Sequence, residues 1–264
     1  MKSKAINLLS LLPHNPVEFY ERVADFTDSR VDTLFHARTR YDAVPVEEGF
    51  SAIFDHHDFD LQSVWEEDAL LEIEEHIRQR QSDLQQNAPF SLSHNGDPRL
   101  GRLCYAIARM IKPRNVVETG VCYGVTSAYV LAAMRQNRHG HLYSIDLPPL
   151  VSNNADFVGW LVPNELKERW TLNRGTSARL LGALIRDLGT LDLFIHDSLH
   201  TFRNMKHEFD SAWPAIRGGG VLISDDIEGN NAFSQLVHSV KPLLSVVMKE
   251  KNKDSLLGVA VKRN

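Results

Sequence analysis

The sequence predicts an α/β fold: a mostly parallel β-sheet covered by helices on both faces, in a doubly wound arrangement. From residue 115 onward, short β-branched apolar stretches alternate with segments whose apolar residues recur at helical spacing. The last two apolar stretches, 244–249 and 256–262, are separated by turn residues at 252–254. That short connection indicates that one strand of the sheet is antiparallel.

Each element follows from its own pattern. Apolar runs of strand length, bounded by glycine, proline or polar residues, predict strands at 115–119, 141–147, 171–173, 191–197, 219–226, 244–249 and 256–262. Apolar residues repeating every three or four positions predict helices at 100–111, 125–134, 177–188, 202–215 and 232–241, and a further helix that ends at 165–170.

The segment before residue 96 differs in composition from the remainder. Residues 16–26 and 61–86 show helical spacing, the stretch 47–75 is acidic, and Asn95-Gly96-Asp97-Pro98 is a strong turn signal. The apolar run 5–12 is short and is followed by prolines, so we interpret it as a docking helix and not as a signal peptide. We therefore predict a helical cap, or lid, over residues 1–95 and an α/β domain over residues 96–264.

Composition narrows the functional class. The chain has 264 residues, 43% of them hydrophobic, and a net charge of −5, which suits one large domain or a domain with an appendage and argues against nucleic acid as a partner. No apolar run approaches the roughly 20 residues needed to span a bilayer. The two cysteines, Cys104 and Cys122, have no metal-type neighbours, which fits a reducing cytoplasm.

The most informative motif is Glu118-x-Gly120-x-x-x-Gly124, which joins a predicted strand to a predicted helix. A strand that leads through a glycine turn into a helix N-terminus forms a cradle of nucleotide size. Gly120 allows the backbone to turn and to approach a ligand closely. The spacing differs from the Gly-x-Gly-x-x-Gly of dinucleotide-binding enzymes.

Polar residues also follow the next two strands. Asp146 comes 28 residues after Glu118, one strand–helix–strand unit later, where a carboxylate can accept hydrogen bonds from a ribose diol. An acid in that position can also cap a helix or face water. Thr176 and Ser177 line a base pocket in one interpretation and act as a helix N-cap in the other.

The predicted fourth and fifth strands end in acids. Asp197 follows the fourth, and Asp225 and Asp226 end the fifth. Clustered carboxylates repel one another unless a cation lies among them, and hard oxygen ligands suit Mg²⁺, Ca²⁺ or Mn²⁺. The alternative roles are helix capping and solvated turn acids. His200, three residues after Asp197, is a candidate general base, or a side chain that hydrogen-bonds the neighbouring loop.

Taken together, these motifs resemble class I S-adenosylmethionine-dependent methyltransferases, and more narrowly the bacterial methyltransferase family 24 of sugar and antibiotic O-methyltransferases. The resemblance covers residues 96–264. It implies a Rossmann-like, seven-stranded sheet whose last strand is antiparallel. It places Glu118 and Gly120 at the methionine part of the cofactor and Asp146 at the ribose. The cofactor-binding residues that we predict on this basis are Glu118, Thr119, Gly120, Tyr123, Ser127, Asp146, Thr176 and Ser177.

In metal-dependent relatives, acids after the fourth and fifth strands hold Mg²⁺, which implies Asp197, Asp225 and Asp226 as metal ligands here. His200 and Asp197 are then the expected catalytic pair. Two positions depart from the family pattern: Thr176 stands where an acid is frequent, and Asp225-Asp226 stands where many relatives have His-Asp.

The expected function is O-methylation of a hydroxyl on a small molecule, such as a sugar, another polyol or a natural product, with S-adenosylmethionine as donor. Trp160 is either a residue of the acceptor pocket or a packing residue. Two competing hypotheses are that the chain is a nicotinamide-dependent oxidoreductase or epimerase, or that it is a non-catalytic cofactor-binding module. The expected partner is the hydroxyl acceptor, without nucleic acid or membrane, and homo-oligomerisation is open.

Overall fold

The computed structural model describes residues 2–35, 38–55, 59–91, 98–150, 157–251 and 254–264. Residues 95–97 of the predicted turn at 95–98 lie outside the described residues, and so do residues 252–253 of the predicted turn at 252–254.

A single sheet organises the chain. Among the described residues it has eight strands, in the order β1-β7-β8-β6-β5-β2-β3-β4. Strand β8 is antiparallel to both of its neighbours, and the other pairs are parallel. The strands are β1 (Val44–Pro45), β2 (Asn115–Thr119), β3 (His141–Asp146), β4 (Trp170–Arg174), β5 (Leu191–His196), β6 (Ile216–Ser224), β7 (Leu244–Lys249) and β8 (Leu256–Val261). The mostly parallel sheet with an antiparallel last strand is thus confirmed.

The sheet has one strand more than the seven expected. The addition is β1, which pairs with β7 through two residues only. A two-residue strand is too short to show any alternation of apolar and polar residues, so the sequence carries no signal for it. β6 begins three residues before its predicted start, because Ile216 already pairs with Leu191 of β5.

Helices cover both faces of the sheet. They are α1 (Lys2–Leu11), α2 (Pro16–Phe35), α3 (Val46–Asp55), α4 (Leu61–Trp65), α5 (Asp68–Asn87), α6 (Pro98–Ile111), α7 (Val125–Asn137), α8 (Ser177–Leu188), α9 (Phe202–Ala215) and α10 (Ala232–Val240). Helix α2 extends nine residues beyond its predicted end. The helix predicted over 61–86 is divided into α4 and α5, because Glu67 adopts an extended backbone. The helix expected to end near 170 is a 3-10 helix, Asn164–Arg169.

Two clusters of buried apolar side chains form the core, one on each face of the sheet. The first joins α3–α7 to the sheet, and the second joins α8–α10 to it. Phe54 of α3 and Leu70 of α5 are fully buried in the first cluster. Helices α3–α5 therefore share a core with the α/β domain, although they precede the predicted boundary at residue 96. None of the described helices combines the length and apolar character required to cross a membrane.

Candidate active site

A cavity of about 360 Å³ lies at the carboxyl ends of β2–β6. The chain proceeds from β2 outward to β3 and β4 and then returns to place β5 against the other side of β2. Such a reversal leaves a crevice in which doubly wound sheets bind ligands. The residues around the cavity are Asp25, Gly120, Val121, Cys122, Ile145, Asp146, Leu147, Pro148, Pro149, Gly175, Thr176, Ser177, Asp197, Ser198, Leu199, His200, Asn204, Asp225 and Asp226.

The glycine loop between β2 and α7 is packed tightly against the loop that follows β5. Gly120 has φ of +83°, and a Cβ there would collide with the backbone carbonyl of Asp197. The Asp197 amide also donates a 2.8 Å hydrogen bond to the Thr119 carbonyl. Only glycine fits both the backbone conformation and the close approach at this position.

One carboxylate oxygen of Asp146 accepts hydrogen bonds from the glycine loop, and the other can accept them from a ligand. Its Oδ1 accepts hydrogen bonds from the backbone amides of Val121 at 2.9 Å and Cys122 at 3.4 Å. Its Oδ2 is buried and has no hydrogen-bond partner among the described residues. Burial raises the pKa of this carboxyl group above its ordinary value. A buried acceptor without a partner is costly, so this oxygen suits a ligand that brings a hydroxyl donor.

Glu118 lies below the glycine loop and does not itself line the cavity. Its Oε2 accepts hydrogen bonds from the hydroxyls of Ser127 and Ser144, both at 2.6 Å, and its Oε1 is buried without a partner among the described residues. Burial raises the pKa of Glu118 to about 7, against the opposing effect of the two serine hydrogen bonds. Glu118 can therefore accept a further hydrogen bond at Oε1. Ser127 does not line the cavity and contributes only through its hydrogen bond to Glu118.

The structure separates the remaining predicted cofactor residues. Thr176 and Ser177 line the cavity. Thr119 and Tyr123 do not: the Thr119 hydroxyl donates to Glu208, and the buried Tyr123 ring stacks on Phe90 with a centroid distance of 4.2 Å. Both side chains therefore support the loop from the side away from the cavity.

Trp160 is also absent from the cavity lining. The Arg80 guanidinium lies 4.2 Å from the centre of its ring, and Phe157 stacks on it at 5.2 Å. The packing interpretation of this tryptophan therefore fits the structure, and the acceptor-pocket interpretation does not.

Acidic side chains meet a histidine at the ends of β5 and β6. His200 lies with Nε2 3.9 Å from Asp197 Oδ1 and Nδ1 3.9 Å from Asp226 Oδ2. Burial, and then the nearby charges of Asp225 and Glu118, raise the pKa of Asp197 well above its ordinary value. The imidazole thus stands between two of the three predicted metal ligands.

The three predicted metal ligands are carboxylates at the ends of β5 and β6. Asp197, Asp225 and Asp226 line the same cavity. Within the part of the chain that the structure describes, however, no group of three or more histidine, cysteine, aspartate or glutamate side chains is arranged to hold a metal ion. As they stand, the three carboxylates are not arranged as a ligand set.

A buried acid that the sequence analysis missed organises this region. Glu208 of α9 accepts from His196 Nδ1 at 2.6 Å and from the Thr119 hydroxyl at 2.5 Å on one oxygen. Its other oxygen accepts from the Ser198 hydroxyl at 2.7 Å and from Asn204 at 3.0 Å. Although burial favours its neutral form, the charge and hydrogen bond of His196 hold the pKa of Glu208 below its ordinary value. Glu208 therefore fixes the loop that carries Asp197 and His200.

Helix α2 covers the cavity, and its acids hold it there. Glu21 accepts hydrogen bonds from the Thr176 amide at 3.1 Å and hydroxyl at 2.8 Å, where α8 begins. Asp28 accepts from the Thr201 hydroxyl at 2.5 Å, and Asp32 accepts from the Phe202 amide at 2.7 Å, where α9 begins. Carboxylates at helix N-termini are stabilising. Helix α2, which belongs to the predicted lid, is thus held by hydrogen bonds at the N-termini of α8 and α9.

Asp25 lies between these contacts and lines the cavity itself. Burial, and then the charges of Glu21 and Asp28, raise the pKa of Asp25 to about 6. The sequence contains one signal for this face: Glu18, Glu21, Asp25, Asp28 and Asp32 recur every three or four residues and therefore lie on one side of the helix.

One protein-family model matches the part of the chain that forms the cavity. The family model described as "Methyltransferase domain", of methyltransferase family 24, matches residues 117–227, from β2 to the end of β6 and the acids beyond it. Residues 117–227 are similar to the methyltransferase domain that this model describes. No curated protein sequence matches the chain.

Solved structures share the fold of the chain over this region. An O-methyltransferase from Bacillus cereus in complex with SAH has a TM-score of 0.56 at 16% identity, over 74% of this chain and 91% of that chain. A putative caffeoyl-CoA O-methyltransferase from Staphylococcus aureus has a TM-score of 0.54 at 13% identity, over 70% and 91%. A putative O-methyltransferase from Klebsiella pneumoniae has a TM-score of 0.51 at 15% identity, over 74% and 90%. At these identities the likeness shows the fold.

Proposed function

We propose that this chain is an S-adenosylmethionine-dependent O-methyltransferase that acts on a hydroxyl group of a small molecule, such as a sugar, another polyol or a natural product. The observation that carries the proposal is Asp146, whose Oδ1 is bound to the glycine loop and whose buried Oδ2 has no partner among the described residues. A ribose diol presents the two adjacent hydroxyl donors that such an oxygen requires.

The volume and lining of the cavity support a methyl donor that contains a nucleoside. A volume of about 360 Å³ lies within the usual range for small-molecule sites. The ribose would lie at Asp146, the base near Thr176 and Ser177, and the methionine portion over Gly120. The free Oε1 of Glu118 below the loop would then accept from a donor at the methionine end, directly or through water.

The proposed reaction is a direct transfer. The acceptor oxygen attacks the sulfonium methyl group in line with the carbon–sulfur bond, the new oxygen–carbon bond forms as that bond breaks, and S-adenosylhomocysteine leaves with the electron pair. The acceptor hydroxyl loses its proton to His200. The methyl group is already activated by the sulfonium charge, so the protein's main contributions are alignment and removal of the proton.

The position of His200 suits that role. Once protonated, its imidazolium would lie 3.9 Å from the carboxylates of both Asp197 and Asp226, which stabilise the positive charge. Glu208 keeps the loop of His200 in place through Ser198 and Asn204. Helix α2 excludes water from the cavity above these groups.

A divalent metal, which the family resemblance implies, is a separate proposal with Asp197, Asp225 and Asp226 as its ligands. When bound, it would lower the pKa of an acceptor hydroxyl. Because the three carboxylates do not stand as a ligand group here, ion binding would require them to move together. Turnover that is unchanged by EDTA would contradict this proposal, whereas a loss that Mg²⁺ restores would support it.

The decisive experiment for the proposed function combines binding and turnover. Calorimetry with S-adenosylhomocysteine and with NADH separates the methyltransferase from the nicotinamide-dependent alternative, and we expect heat from S-adenosylhomocysteine alone. Transfer of a labelled methyl group from S-adenosylmethionine to a panel of sugars, polyols and phenols then tests catalysis. Tight cofactor binding without transfer to any acceptor would favour a non-catalytic binding module.

A further inference from the structure

Helix α2 has an unusual distribution of side chains. Its acidic face, Glu18 to Asp32, points toward the protein, whereas large apolar side chains on its other face point to solvent. Tyr20 is 65% exposed and Leu34 is 78% exposed. An ordinary surface helix buries its apolar side and exposes its charged side, so α2 is reversed.

The ion pairs of the inner face prevent α2 from rolling its apolar side inward. Glu18 is buried and contacts Arg22 at 2.6 Å and Arg174 at 3.3 Å, while Glu21 contacts Arg179 at 2.6 Å. The Arg22 guanidinium also donates to the Pro148 carbonyl at 2.9 Å. The outward direction of the apolar side chains is therefore fixed by contacts to three separate parts of the α/β domain.

The outward residues have the spacing of a coiled-coil contact. Val17, Tyr20, Ala24, Thr27, Val31 and Leu34, which we call the outer seam, alternate at intervals of three and four residues, and all six are exposed. That is the a and d pattern of a helix that packs against another helix. Thr27 does not interrupt it, because its hydroxyl donates to the Val23 carbonyl at 2.8 Å.

We propose that the outer seam is the interface through which two copies of this chain associate, with their α2 helices antiparallel. The seam complements itself in that direction: Val17 meets Leu34 of the partner subunit, Tyr20 meets the partner's Val31, and Ala24 meets the partner's Thr27. Small residues thus face each other at the centre, and larger ones face each other toward the ends.

A hollow beside the seam determines the direction. A cavity of about 330 Å³ is lined by Ala24, Thr27, Val31 and Arg203, together with Asp28 and Asp32. In the antiparallel arrangement the protruding Tyr20 of each copy lies beside the other copy's Thr27 and Val31, and it enters this hollow. In a parallel pair it would lie beside the other Tyr20, and the hollow would stay empty.

The extent of the surface suits a dimer. A helix of 20 residues is about 30 Å long. Leu9 of α1 and Leu12 in the turn after it, 62% and 43% exposed, add to the apolar surface at one end, and Phe35 adds to it at the other. Two such surfaces in contact approach the roughly 800 Å² per partner of a standard protein interface. This inference does not depend on the methyl donor.

Sedimentation velocity on the full chain at tens of micromolar tests the association. We expect twice the 29.9 kDa mass of one chain for the wild type. Val31→Glu/Leu34→Glu should be monomeric, and Tyr20→Ala/Leu34→Ala should dissociate at least tenfold more readily. Phe26→Glu is the matched control: Phe26 is 62% exposed on the same helix but outside the seam, and this variant should remain dimeric. A monomeric wild type, including one that instead binds lipid vesicles, overturns the proposal, as does a seam variant that stays dimeric.

Crosslinking tests the direction. Chains carrying Val17→Cys are mixed with distinguishable chains carrying Leu34→Cys, with wild type as control for the native cysteines. Antiparallel helices link Val17→Cys to Leu34→Cys chains. Links only between identical chains would overturn the antiparallel arrangement. Circular dichroism and a cooperative thermal unfolding transition establish that each variant is folded.

Discussion

The two halves of the cavity differ in how their carboxylates are held. In the half beside the glycine loop, which we propose binds the methyl donor and call the donor half, Asp146 lines the cavity and Glu118 lies below the loop. Each has one oxygen bound by nearby groups and one buried oxygen without a partner among the described residues. In the acceptor half, Asp197 lies close to other acids, and His200 stands between it and Asp226. The half that holds Asp146 is thus prepared to accept hydrogen bonds from a ligand. The half that holds His200 is instead arranged to stabilise a positive charge on that imidazole.

The same difference explains what the sequence could predict. The donor half consists of strand ends and the turns that follow them, so Gly120 and Asp146 are recognisable from spacing and residue type alone. The sheet and the helices α8 and α9 were predictable for a similar reason, since their periodicity is local. The resemblance to class I methyltransferases added the prediction that the ligand is S-adenosylmethionine.

The acceptor half depends on contacts between distant parts of the chain. Glu208 belongs to α9 but supports Thr119 and the loop after β5, and no local pattern indicates these partners. Its one signal is a charged residue among the buried apolar positions Met205, Phe209 and Ala212 of its helix. Asp25 reaches the cavity from α2, more than ninety residues before the glycine loop.

The largest expected effect concerns the acceptor half. His200→Ala should lower kcat by about 10²–10⁴, the usual contribution of a general base. Its affinity for S-adenosylhomocysteine should remain within about twofold of the wild-type value, because the donor half is intact. His238→Ala, an exposed histidine of α10, is the matched control. A His200→Ala enzyme with wild-type turnover would remove His200 from the mechanism.

Glu208 connects the two halves, and its loss should affect the whole fold. Glu208→Ala leaves His196 and three further donors without their buried acceptor, so we expect the free energy of unfolding to fall by about 3–5 kcal/mol. Asp210→Ala, on the same helix, breaks only the exposed pair with Lys206 and should change it by less than about 0.5 kcal/mol. Urea denaturation measures both. Equal small losses in the two variants would show that Glu208 has no such connecting role.

Asp146→Ala tests the donor half alone. It removes a charge-assisted acceptor, and the dissociation constant of S-adenosylhomocysteine should rise about tenfold or more in calorimetry. The exposed Asp187 of α8, changed to alanine, should have no effect. Unchanged affinity in Asp146→Ala would contradict the ribose assignment.

The smallest expected effect is the pH dependence that Asp25 contributes. Its pKa is raised to about 6 in the fold, so the folded protein binds a proton more readily than the unfolded chain does, and stability falls as pH rises toward and through 6. Asp25→Asn removes this penalty. After allowance for solvent screening we expect a gain of about 1 kcal/mol, or about 2–4 °C in Tm, at pH 8. Near pH 4 the gain should be close to zero, and a gain that is equal at both pH values would show that the ionisation of Asp25 is not its cause.

The central claim is that the cavity at the ends of β2–β6 binds the methyl donor through the free oxygen of Asp146. A crystal structure of the full chain with S-adenosylhomocysteine tests it most directly. We predict the ribose hydroxyls within hydrogen-bond distance of Asp146 Oδ2, with the sulfur directed toward Asp197 and His200. A nucleoside bound elsewhere on the protein, or its ribose turned away from Asp146, would contradict the account.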